Sequence, residues 1–239
     1  MFITDQVEAY GLEKGVAEFF KERKIKYETL SALSNAPEDC PWTMHRELSP
    51  DDVVRAVFEP LEDHLPEMLT LLSEHCLAVL CLKVDGVWYL LYVVKMWGSD
   101  YYLWIGGQPA DSPSLKQDAA AAGWNMPASL LEFYQVHHGF GESDLNYNLV
   151  FDKRLWNANC IRPSHRLELL SRQTEGEDGA KYQPGDMLFF LHDGGEDYFG
   201  MLRSGTEAAY YNQSERIVED SLADEMFTLI DEYFSEMFL

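Results

Sequence analysis

The chain has 239 residues, 46% of them hydrophobic, which supplies a core for one large domain or two small ones and excludes a disordered polymer. Lys and Arg number 18 against 41 Asp and Glu, a formal net charge of -23, and a field of that sign repels nucleic acid and anionic membranes while attracting basic proteins or cations. The skew is also local: Gln173–Leu239 holds 16 acidic residues against three basic ones (Lys181, Arg203, Arg216).

In chain order, the first expected element is an amphipathic helix over Asp5–Lys24, with Asp5 and Glu8 spaced as a capping box and Leu12, Val16, Phe19 and Phe20 on one face. A loop through Asn35–Pro41 follows. Ser49-Pro50-Asp51-Asp52 then reads as an N-cap, a first-turn proline and acids at the positive end of a helix, with Val53, Val54, Val57, Phe58 and Leu61 inward. Another helix is expected over Pro66–His75. Cys76–Val84 and Val87–Met96 flank Asp85-Gly86, the two-residue signature of a type I′ hairpin, and Tyr101–Ile105 adds a third strand. Gly106–Ser114, with two glycines and two prolines, reads as a linker and sets a provisional boundary between residues 1–110 and 111–239.

Gly123–Gly141 reads as a short helix with both ends specified. Pro127 suits the first turn and Gly139 a left-handed C-terminal cap, and Leu130, Leu131, Phe133 and Tyr134 form an apolar stripe. Leu145–Phe151, Arg166–Arg172, Met187–Asp193, Tyr198–Ser204 and Ala208–Tyr211 read as strands separated by turns at Glu175–Gly179 and Gly194–Asp197. Ser221 and Asp224 form a capping box before a helical stripe of Leu222, Met226, Phe227, Ile230, Phe234 and Phe238. Helices, strands, helix, strands, helix argue for an α+β fold with a largely antiparallel sheet and flanking helices.

Cys40, Cys76, Cys81 and Cys160 lack CxxC spacing. Strand parity sets Cys76 and Cys81 on opposite faces, so four reduced thiols in a cytoplasmic protein are expected. No basic region precedes an apolar run at the start, and Lys83, Asp85 and Lys95 break the longest apolar stretches, so neither a signal peptide nor a membrane span is expected.

Catalytic motifs are missing: the chain has no G-x-S-x-G elbow, Walker loop or dinucleotide fingerprint. His192-Asp193-Gly194-Gly195-Glu196-Asp197 resembles a metal loop in composition, yet a turn between strands calls for the same Asp and Gly residues, and EF-hand spacing is lacking. His137-His138 are adjacent rather than one helical turn apart, a poor pair for chelation and a natural polar helix end. No enzyme activity, cofactor or metal is expected.

GWNMPASLLEFYQVHHGFG, MLFFLHDGGEDYFGMLRSG and SLADEMFTLIDEYFSEMF follow one another over about half the chain. Their succession resembles the SUKH superfamily, which includes bacterial immunity proteins and relatives of a yeast cell-wall-synthesis regulator. They match its leading helix, its hydrophobic strand with Gly/Asp-rich turn and returning aromatic strand, and its closing helix. The resemblance implies a SUKH-like α+β module at 111–239, with no role implied for 1–110, and a non-catalytic immunity protein that neutralises a toxin, often a nuclease. Acidity agrees independently, since nucleases carry cationic surfaces and an acidic decoy associates with them rapidly. The expected partner is therefore a basic protein toxin, with neither nucleic acid nor membrane bound. Aromatic anchors and acids returning from the turn nominate Asp193, Glu196, Asp197, Tyr198, Glu207, Tyr210 and Tyr211 as the partner-binding edge. The alternatives are a scaffold or regulatory module of the same superfamily and a hydrolase using His192, Asp193 and Asp197.

Overall fold

The computed structural model describes residues 13–18, 20–21, 24, 26–95, 101–143, 156–162, 164, 167–176, 179–192, 198–203, 208–211, 216–220 and 225–238. Helical residues 13–18 and 20–21 (α1) bury Val16 and Phe20, two members of the anticipated stripe; Asp5, Glu8, Leu12 and Phe19 lie outside the described residues. After β1 (Thr29–Ala32), Ser49 stands at the N-cap position of α2 (Pro50–Phe58), its hydroxyl donating to the Asp52 carboxylate rather than capping an amide, and Pro50 opens the first turn as expected. The helix α3 spans Pro66–His75. Its first-turn amides are met by a carboxylate distant in sequence: Glu67 N–H and Met68 N–H donate to Asp231, at 3.1 and 2.7 Å. Amides at a helix start have no partner within the helix, so this contact caps α3 and opposes its dipole.

Strands β2 (Cys76–Val84) and β3 (Val87–Lys95) form the expected hairpin, and β4 (Tyr101–Gly107) pairs with β3. The turn takes positive φ at both Asp85 (50°) and Gly86 (79°), the conformation of a type I′ loop. A bulge between Cys76 and Ala78 corrects the parity argument. The extra residue turns Cys76 toward the same core as Cys81, whereas Ala78, Leu80 and Leu82 face the opposite core with Val16 and Phe20.

The stretch read as a linker contains structure. Its first residues finish β4, and Ser112–Ala121 is a helix, α4, with Asp111 at its N-cap and a proline in its first turn. Only Leu115 is buried along it, so apolar periodicity gave no signal. The next helix, α5 (Ala128–Val136), starts after Pro127, which is its N-cap rather than a first-turn residue. It ends at an extended His137; Gly139 has the expected positive φ (97°), but in the turn into β5 (Phe140–Ser143) rather than as a cap.

The remaining strands are short: β6 (Trp156–Ile161), β7 (Glu168–Leu169), β8 (Thr174–Gly176), β9 (Lys181–Tyr182), β10 (Met187–His192), β11 (Tyr198–Leu202), β12 (Ala208–Tyr211) and β13 (Arg216–Asp220). Of the expected strand Arg166–Arg172 only β7 forms, while Leu145–Phe151 lies outside the described residues. The last helix, α6, covers Glu225–Glu236; the capping box Ser221/Asp224 is likewise outside.

All strands join one sheet in the order β1-β2-β3-β4-β5-β6-β10-β11-β12-β13-β8-β9, with β7 against β10. Among the described residues only β6–β10 and β8–β13 pair in parallel, so the fold is α+β with a largely antiparallel sheet. The position proposed as a boundary, 110/111, falls between β4 and α4. Sheet and core both continue across it: β4 pairs with β5, and one cluster takes in Val54, Phe58, Tyr92, Trp104, Phe133, Phe140 and Phe234.

The interior of that cluster is polar at one point. His137 is fully buried between Phe58, Trp42 and a stacked Phe140. Its Nδ1 lies 2.9 Å from the Gly107 carbonyl, which only accepts, so Nδ1–H donates there and Nε2 accepts from the Tyr92 hydroxyl at 2.7 Å. Burial lowers the His137 pKa to about 4, so the ring is neutral at pH 7. Gly106 makes room for it: a Cβ there would meet the imidazole at 2.5 Å.

Candidate functional site

The candidate surface is built on α4 and the segment of residues 162, 164 and 167–172. That segment is tied down from below by α5 and its C-terminal turn. Tyr134 OH donates to Arg162 O at 2.6 Å, and His138 Nε2 accepts both the Ser164 amide (3.0 Å) and hydroxyl (2.7 Å). Because both Ser164 donors converge on one ring nitrogen, the pair acts as a clamp on the chain. Arg162 also pairs with Glu168 on β7.

Two adjoining clefts open along α4, sharing Leu115, Asp118 and Ser164. The first, about 390 Å³, is walled by Trp124, Met126, Leu167, Leu169 and Leu188. Trp124 is set by Arg203, whose guanidinium lies 5.1 Å above the indole while donating to Gly185 O at 3.1 Å. The second, about 440 Å³, runs under Val87, Tyr89 and Gln108 to Asp111. Its floor and rim differ in chemistry. Leu169 is 50% exposed and Val87 36%, whereas the charges on the two linings are the exposed carboxylates of Asp111 and Asp118; among the described residues no Lys or Arg lines either cleft. Ser114 Oγ donates to the Asp111 carboxylate, fixing it over the start of α4.

A third cleft of about 450 Å³ shares Leu169 and continues past Glu168, Arg172 and Phe189 to Tyr198. Here the structure meets the edge nominated from sequence. Tyr198 opens β11, half-buried, with its ring 5.1 Å from Phe189. Its neighbour Phe199 packs instead toward α6, 6.2 Å from Tyr233. Register sets Tyr211 opposite Tyr198 and Tyr210 opposite Phe199. Asp193, Glu196, Asp197 and Glu207 lie outside the described residues. β10 and β11 pair antiparallel, with His192 opposite Tyr198.

Sequence reasoning missed Asp111, Asp118 and Leu169. For the first two a signal was present: Asp111-Ser112-Pro113 is an N-cap followed by a helix-starting proline, outvoted by the neighbouring glycines. Leu169 carries no such signal, because its exposure depends on β7 ending after two residues.

Among the described residues, no group of three or more His, Cys, Asp or Glu is placed to hold a metal, and no helix is long and apolar enough to cross a membrane. No family model, curated protein or solved structure matches the chain, so the SUKH resemblance rests on its motifs alone.

Proposed function

We propose that this chain is a non-catalytic binding protein that takes a cationic protein partner along α4, and that the partner is a basic, nuclease-like bacterial toxin which it neutralises in the cytoplasm. The observation that carries the reading is the pair of adjoining clefts with an apolar floor and a rim whose charged groups, among the described residues, are Asp111 and Asp118. A protein anchor of a few desolvated side chains ringed by polar groups needs such a floor, and a chain of net charge -23 supplies long-range attraction toward a basic surface. The cleft that reaches Tyr198 meets the edge nominated from sequence, and Asp193, Glu196, Asp197, Glu207, Tyr210 and Tyr211, close to Tyr198 in sequence or strand pairing, are proposed as further partner contacts. The SUKH-like motifs are what favour a toxin as the occupant.

The test is capture from the native cell with tagged wild-type chain and with an Asp111→Lys/Asp118→Lys variant. A basic protein held by the first, lost from the second, and harmful to growth only when expressed without this chain is the expected result. A partner retained equally by both would remove α4 from the interface, and a partner harmless on its own would remove the toxin reading.

A further inference from the structure

Cys40 and Cys81 are 41 residues apart in sequence, yet their Sγ atoms lie 3.4 Å apart. Cys81 belongs to β2, on the face turned toward the main core. Cys40 is carried by a surface turn, fixed by Cys40 N–H to Pro37 O (3.1 Å) and Thr43 N–H to Cys40 O (3.3 Å). Both side chains are buried, at 2% and 0% exposure, but Asp39 and Pro41 on either side of Cys40 are exposed, so this sulfur lies directly beneath the surface.

The surroundings separate the two thiols. Arg46, whose guanidinium donates to Ala36 O, sets a positive charge near both sulfurs, and its buried Nε has no hydrogen-bond partner among the described residues. The Cys81 thiol and the Trp42 amide both favour a thiolate at Cys40, and its pKa is lowered. The hydrogen bond to Cys40 and burial hold Cys81 as the thiol. Cys76 shows the contrast: its thiol donates to the Ala78 carbonyl at 3.5 Å, and burial pushes its pKa up to about 12. A thiolate touching a thiol is the arrangement in which a nucleophilic and a resolving cysteine act in sequence.

We propose that Cys40 and Cys81 are a thiol–disulfide site that a small peroxide oxidises to a bond stapling the 36–48 loop to strand β2. The Cys40 thiolate attacks one peroxide oxygen, the O–O bond breaks, and hydroxide leaves and is protonated to water. The sulfur is thereby oxidised by two electrons to a sulfenic acid as the peroxide is reduced. Cys81 then gives up its proton and attacks the sulfenic sulfur; the S–S bond forms, the S–O bond breaks, and a second water leaves. Hydrogen peroxide and two thiols become a disulfide and two waters, and a dithiol reductant reverses the change. The closed loop removes unfolded-state freedom, so the oxidised chain melts higher by on the order of 10 °C. This inference is independent of the proposed partner.

The experiment treats the full wild-type chain with hydrogen peroxide or with dithiothreitol, then maps disulfides by mass spectrometry after trapping free thiols and records thermal unfolding of both forms. A Cys40–Cys81 cross-link, a higher Tm after peroxide and return of both on reduction is the expected result. A Cys81→Ala variant should lose the Tm shift and accumulate sulfinic acid at Cys40. Oxidation confined to Cys76 or Cys160, a different disulfide, or sulfinic acid at Cys40 in the wild-type chain would each overturn the proposal. The wild-type map decides even where the variant folds poorly.

Discussion

The two ends of the sheet are built differently. In the β2–β3–β4 region, strands of nine, nine and seven residues are packed on both faces, by α1 on one and by the helices on the other. From β7 to β13 no strand among the described residues exceeds six residues, and the satellite core is Leu170, Tyr182, Met187, Phe189 and Leu202. The clefts gather where α4 and this second region meet, beside short elements that leave Leu169 uncovered. A well-packed region can hold a surface rigid, and a sparsely packed one can leave apolar side chains free to meet a partner.

That contrast breaks first at glycine. Each region has a glycine where a Cβ would collide: Gly106 with the His137 ring at 2.5 Å, and Gly200 with the Leu188 carbonyl oxygen at 2.7 Å. Gly106→Ala expels or tilts a ring hydrogen-bonded on both sides, and we expect a loss of about 3 kcal/mol or more in urea unfolding. Gly200→Ala should cost about 1–3 kcal/mol, by parting β10 from β11. Hydrogen exchange should show faster exchange confined to β10–β13 in Gly200→Ala and spread through the molecule in Gly106→Ala; equal spread in both would dissolve the distinction.

The buried histidine predicts a pH dependence. Burial depresses the folded pKa from 6.5 to about 4, so between those values the unfolded state holds more protons than the folded one. Stability from this group is therefore complete above pH 6.5, is lost as pH falls to about 4, and is flat below, a change of about 3 kcal/mol. Comparing the pH dependence of wild type with that of His137→Gln isolates it; identical slopes would show that the ring is not held neutral.

Asp231 ties α6 to the start of α3. Replacing it with Ala leaves the Glu67 and Met68 amides without their carboxylate and should cost about 1–2 kcal/mol by thermal unfolding. At the cleft the effect on stability should be smallest. Leu169→Ser removes a half-exposed side chain and is expected to change stability by no more than about 0.5 kcal/mol, checked in the same assay.

Legibility in the sequence follows the same division. Pro50, Pro66 and Asp85-Gly86 mark the starts of α2 and α3 and the β2–β3 hairpin because caps and turns are local chemistry; the limits of α3 and the hairpin agree almost residue for residue, whereas α2 stops at Phe58 and Leu61 lies in a separate short helical turn, Glu59–Leu61. Strands β1, β5, β6, β8, β9 and β13 have no counterpart among the expected elements, since such short runs carry little periodicity and exist through their neighbours. Helix α4 was hidden by glycines beside its own cap. Of the nominated edge, Tyr198 reaches a cleft; Asp111 comes from the segment read as linker and Asp118 from the stretch just after it, and only the tertiary fold brings both to the adjoining clefts.

The most direct test of an acid-rimmed, apolar-floored binding surface is the kinetics of the captured partner against wild type, Asp118→Lys and Leu169→Ala over rising salt. The account predicts wild-type association that slows steeply with salt, a slower and less salt-dependent association for Asp118→Lys, and faster dissociation at unchanged association for Leu169→Ala. The Leu169 change should weaken binding by about 1 kcal/mol or more. Salt-independent association, with both variants binding as wild type does, would contradict it.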